Sequence, residues 1–112
     1  MMMGDGKLAS RTVIGKVAKY LNVLRRHGLP VSKGIIYGSN ARDEAGPDSD
    51  IDLLVISPLF DENPRARVGE MWRLASEVDS HIEPVPVGEK RFEKDDVSPL
   101  LEIARQEGLV VT

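Results

Sequence analysis

Asp50 and Asp52 flank a single isoleucine at the head of the apolar run Leu53–Ile56. Side chains alternate along an extended chain, so both carboxylates fall on one face, with their Cα atoms about 6.6 Å apart. Two like charges on one strand face repel, and a purely structural strand gains nothing from them. A hard divalent cation such as Mg²⁺ resolves that conflict, since it takes oxygen ligands and tolerates retained waters and substrate phosphates. Paired metal ions in phosphoryl-transfer sites lie about 3.5–4 Å apart, a span that side chains at this spacing can bridge. Upstream, Tyr37-Gly38-Ser39 ends another apolar stretch, with ten residues between it and Asp50. Glycine at a strand end lets a ligand approach the backbone. A helix starting there would offer free amides to a phosphate, with the Ser39 hydroxyl adding a hydrogen bond. Gly-Ser alone is a common turn; joined to Asp-x-Asp at this spacing it is specific.

Gly38-Ser39-Asn40-Ala41-Arg42 followed by Ser49-Asp50-Ile51-Asp52-Leu53-Leu54-Val55 resembles the DNA polymerase β-like nucleotidyltransferase superfamily, and within it the minimal MNT-type members. About twenty residues match closely, although the element order agrees over nearly the whole chain. Asp43 departs from the pattern, many relatives having glycine after the arginine; the carboxylate motif is untouched, but the phosphate loop is altered. The resemblance implies two Mg²⁺ ions and transfer of a nucleoside monophosphate from a nucleoside triphosphate, ATP being expected, to an acceptor hydroxyl. It also implies that Gly38, Ser39, Arg42 and Ser49 hold the nucleotide, that Asp50 and Asp52 hold metal, and that a third acid on a later strand completes the site. Glu83 is the only carboxylate of His81–Val87 and is the expected third acid, binding metal and helping to deprotonate the acceptor. Asp79, just before that strand, is its competitor and could instead cap the turn. Minimal members often pair with a separately encoded helical HEPN protein as antitoxin to its toxin, some by attaching nucleotide to it. Two rivals remain open: an antitoxin that acts by contact without catalysis, and a small-molecule nucleotidyltransferase whose acceptor pocket forms in a homo-oligomer.

Other readings of the same residues are weaker. Asp48 to Asp52 mimics an EF-hand start, but Leu53 stands where glycine is needed and Leu59 where glutamate is needed. His27 and His81 lack metal-ligand spacing; His81 either lines the site beside Glu83 or is a surface histidine. Arg42 either meets a phosphate or pairs with Asp43 or Glu44. Met71 and Trp72 at helical spacing read as core.

The elements that must position these residues follow from periodicity. Val13, Val17, Tyr20, Leu21 and Leu24 form the apolar stripe of a helix stopped by Gly28 and Pro30. Val31–Tyr37 reads as a strand, and Ser39–Ala45 as a short helix capped by Ser39 and ended by Gly46-Pro47. Ile51–Ile56 is apolar on both faces beyond Asp52, as in a central strand. Asn63-Pro64 opens a helix running to Val78, with Val68, Met71, Trp72 and Ala75 inward. His81–Val87 is a third strand whose Pro84 and Pro86 put it at an edge, and Ser98-Pro99 starts a last helix ended by Gly108. The fold class is therefore α/β (α+β type), a small mixed sheet flanked by helices.

With 112 residues and no cysteine, the expectation is one domain over residues 1–112, without disulfides or thiolate chemistry. At that length a second, acceptor-presenting domain is not expected. Net charge is −3, split into +6 over residues 1–33 and −9 over the rest. This gives no strong nucleic-acid signal; the basic third is a solvated helix face or meets an acidic or phosphate-bearing partner. The longest apolar run, Leu53–Ile56, is far too short to span a membrane. Met1–Ser10 lacks the apolar stretch of a secretory signal, so a cytoplasmic location is expected.

Overall fold

A computed structural model describes residues 10–42, 44–46 and 48–112. Helix α1 (Arg11–Arg26) begins where the Ser10 hydroxyl oxygen accepts from the Val13 amide, and Val17, Tyr20, Leu21 and Leu24 form its buried stripe. Gly28, with φ of 87°, turns the chain after it. Strand β1 (Lys33–Tyr37) leads into a single 3₁₀ turn (Gly38–Asn40), and β2 (Ile51–Ile56) follows. Next come α2 (Leu59–Glu62), α3 (Val68–Val78), β3 (Ile82–Val87), α4 (Glu89–Lys94), α5 (Pro99–Glu107) and β4 (Leu109–Val111).

The four strands found among the described residues lie in the order β3-β2-β1-β4. β1 pairs antiparallel with β2 and β4, while β2 and β3 run parallel, joined through α3. The sheet is thus mixed, β2 is interior, and proline-bearing β3 is an edge, as the sequence predicts. Ile36, Ile51, Leu53, Val55 and Ile82 face one core with α1 and α3; Ile35, Leu54, Ile56 and Val87 face the other with Leu101 and Ala104 of α5. Period two then assigns Tyr37, Asp52 and Glu83 to the α5 face.

Several expectations are corrected. The strand expected from Val31 starts at Lys33. The helix expected over Ser39–Ala45 is only the 3₁₀ turn, because the buried Asn40 side chain donates to the Asp50 carbonyl (2.8 Å) and ties the turn back to β2. Its proposed cap fails too: Tyr37 holds the capping position without a side-chain bond. Asp43 and Pro47 lie outside the described residues, as does Met1–Ala9. The helix expected from Pro64 begins at Val68, since the Asn63 carboxamide accepts from the Arg65 amide (3.2 Å) and Arg67 adopts φ of 57°. Trp72, expected in the core, is 46% exposed; Leu74 instead is buried beside Met71 and Ala75. Neither α2, α4 nor β4 was foreseen. The last helix, from Ser98-Pro99 to Gly108, matches expectation, with the Ser98 hydroxyl accepting from Leu101.

Candidate active site

Strand register assembles the site. Tyr37 pairs with Asp52 across β1 and β2, and Asp52 pairs with Glu83 across β2 and β3. The three side chains form one row over three strands. Asp50, two residues before Asp52, extends that row beyond the end of β2. Glu83 comes within hydrogen-bonding reach of Asp50; that bond first, then burial, then the charges of Asp50 and Asp52, raise its carboxyl above the ordinary value. Asp52 is raised first by burial and second by Asp50, with Arg42 opposing. The fold therefore gathers three mutually repelling carboxylates at one end of the sheet. Sequence reasoning picked all three, and the structure brings them together.

Among the described residues, no three His, Asp or Glu side chains lie close enough together to hold a metal ion as they stand. The arrangement is open: two carboxylates within hydrogen-bonding reach and a third beside them. Its donor set is all oxygen and all anionic, which fits a hard divalent cation with retained waters. Asp79 is committed elsewhere. Its carboxylate lies 2.6 Å from Lys16 Nζ and accepts from the His81 amide at 2.8 Å, with His81 Nδ1 also at 2.8 Å. The Lys16 bond first, then those to His81, hold the Asp79 carboxyl far below the usual carboxylate range. This is the turn-capping role, and it binds His81 as well.

Gly38 stands directly against the carboxylates. Its φ is 74°, and a Cβ there would overlap the Asp52 carboxylate. Glycine is needed for both reasons, backbone conformation and space. The amides of Ala41 and Arg42 turn back onto the Gly38 carbonyl (3.1 and 3.2 Å). A three-residue turn has no helix dipole of consequence, so phosphate recognition here falls to backbone approach and to side chains. The Ser39 hydroxyl has no hydrogen-bond partner among the described residues. Ser49 is used locally, its hydroxyl oxygen accepting from the Gly46 amide at 2.8 Å. Arg42 pairs with Glu44 (3.0 Å) and with Glu107 of α5 (3.1 Å).

Sequence reasoning missed two contributors. Asn40 holds the Asp50 backbone through its carboxamide; its place inside the Gly-Ser motif was the only signal. Tyr37 closes the row, its phenol pushed up to about 12 by burial first and then by Asp52 and Glu83. Its position just before Gly38, at the strand end, was the available clue.

Gly38→Val is expected to impair triphosphate binding more than Ser39→Ala, because valine combines a forbidden φ with displacement of Asp52. Loss of the Ser39 hydroxyl should cost about 1.5–3 kcal/mol, the scale of one hydrogen bond to a charged group. Calorimetric titration of both variants checks the order; normal binding by Gly38→Val would contradict it.

The nucleotidyltransferase domain family model matches residues 17–107, spanning the row of acids, helices α2 to α5 and all of α1 beyond its first six residues. The chain belongs to that family, whose chemistry is nucleotidyl transfer. Its fold is that of a Sulfolobus solfataricus protein assigned as a nucleotidyltransferase, with a TM-score of 0.58 at 17% identity over 88% of this chain and 78% of that one. No curated protein matches the chain.

Proposed function

We propose that the protein is a minimal, Mg²⁺-dependent nucleotidyltransferase that moves a nucleoside monophosphate, AMP from ATP in the first instance, onto a hydroxyl of a partner protein. The observation that carries this reading is the convergence of Asp50, Asp52 and Glu83 beside a glycine that leaves no room for a side chain. Gly38 and Ser39 bind the triphosphate, and Arg42 and Ser49 lie on the loop that borders it. Asp50, Asp52 and Glu83 hold two cations, which when bound neutralise charge around the α-phosphorus and acidify the acceptor hydroxyl. Glu83 also stands ready to take the acceptor proton. A bond forms from the acceptor oxygen to the α-phosphorus, the bond to the bridging oxygen breaks, and pyrophosphate leaves. The chain's own contribution is positioning and electrostatic preorganisation.

The partner-protein acceptor, of the helical HEPN type, rests on the resemblance to minimal MNT-type members. Neutralisation of a toxin would follow from that modification. Incubation of such a partner with this protein, Mg²⁺ and each nucleoside triphosphate, read by intact mass, tests it. The expected result is a mass increase of one or more nucleoside monophosphates, absent when Mg²⁺ is chelated. A tight complex with no mass change, surviving loss of Asp50 and Asp52, would favour a contact-only antitoxin. Modification of small molecules alone would favour the third reading.

A further inference from the structure

We propose that Glu107, at the last turn of α5, tunes the affinity for triphosphate by competing with it for Arg42; this rests on the nucleotide site proposed above. Arg42 belongs to the turn around Gly38, its amide donating to the Gly38 carbonyl at 3.2 Å. Its guanidinium is engaged from two sides: Nε lies 3.0 Å from Glu44 and Nη1 lies 3.1 Å from Glu107. The three side chains are 42%, 60% and 40% exposed, so these pairs sit in water and exchange readily.

The two carboxylates differ in kind. Glu44 is two residues from Arg42 and moves with the same loop. Glu107 is 65 residues away and rides on α5, which is fixed to the sheet through buried Leu101 and Ala104 against Ile35. It is therefore a stationary anchor that draws Arg42 toward α5. The guanidinium charge is already felt at Asp52, where it favours the ionised carboxylate, so Arg42 borders the row of acids. A planar guanidinium fork suits phosphate oxygens as well as carboxylates. An incoming triphosphate must share Arg42 with Glu107 or displace Glu107 from it, and in either case it meets the negative charge of Glu107 itself.

Glu107→Gln keeps the size and the helix while removing the competing charge. Calorimetric titration with Mg²⁺ and a non-hydrolysable ATP analogue should show about two- to fivefold tighter binding than wild type, the scale of one exposed ion pair. The melting temperature should change little. Arg42→Gln should bind more weakly, and adding Glu107→Gln to it should give no gain. Unchanged or weaker binding by Glu107→Gln would overturn the inference. So would a gain that persists without Arg42, since that would reflect diffuse charge alone. If wild type fails to bind the analogue in Mg²⁺, the proposed function falls and this inference with it; wild-type binding with no gain in Glu107→Gln removes only the inference.

Discussion

Glu83→Gln is expected to slow nucleotidyl transfer by about 10²–10³-fold while sparing most triphosphate binding. Glutamine keeps the length and shape of glutamate but removes the charge that Asp50 and Asp52 now oppose. On the proposed function the ground-state triphosphate is held by Gly38, Ser39 and the cation assigned mainly to Asp50 and Asp52, whose carboxylate charges the substitution leaves in place. In the transition state the acceptor oxygen develops charge, and stabilisation that depends on the Glu83 carboxylate is lost. A turnover assay beside a nucleotide titration separates the two effects. Asp79→Asn is the control. Its carboxylate is bound to Lys16 and His81, so stability should fall while transfer persists. Wild-type transfer by Glu83→Gln would place the third acid elsewhere.

Asp50→Asn and Asp52→Asn should each abolish most Mg²⁺-dependent triphosphate binding without unfolding the protein. Burial, and then the charge of Asp50, raise the Asp52 carboxyl above its ordinary value. The folded chain therefore holds that proton more tightly than the unfolded chain does. Its contribution to stability is complete below the ordinary carboxylate pKa and is lost as pH rises through the raised one. At neutral pH the ionised Asp52 opposes folding, so asparagine should leave the metal-free melting temperature equal or higher. The advantage should shrink as pH falls and wild-type Asp52 becomes protonated. Thermal melts across that range check the sign, and wild-type-like Mg²⁺-dependent binding in both variants would contradict the metal assignment.

What was legible in the sequence was local. The 3.6-residue stripe of α1 and the alternation that sets Asp50 and Asp52 on one face needed no tertiary information. Pro84 and Pro86 placed β3 at an edge because they lack amide donors, and Glu83 followed as the acid of that strand. Tertiary contacts decided the rest. The helix expected at Ser39 yields to one turn because Asn40 bonds to Asp50 ten residues on, and no local propensity encodes that bond. Pro64 is a good first helical residue, yet the Asn63 side chain folds the chain into a turn and postpones the helix to Val68. Trp72 fits the apolar stripe of α3 by spacing, but Leu74 takes the inward position. β4 is only three residues long, too short for alternation to show, and it exists by pairing with β1. In the site, the carboxylates were readable as a motif, whereas the Arg42–Glu107 pair joins residues far apart in the chain.

The most direct measurement is calorimetric titration of the wild-type protein with a non-hydrolysable ATP analogue, once in Mg²⁺ and once in excess EDTA. If Asp50, Asp52 and Glu83 form a cation-dependent nucleotidyl-transfer site, saturable binding appears in Mg²⁺ and is largely lost in EDTA, where three carboxylates repel an uncompensated triphosphate. Equal affinity under both conditions, or no binding under either, would contradict it.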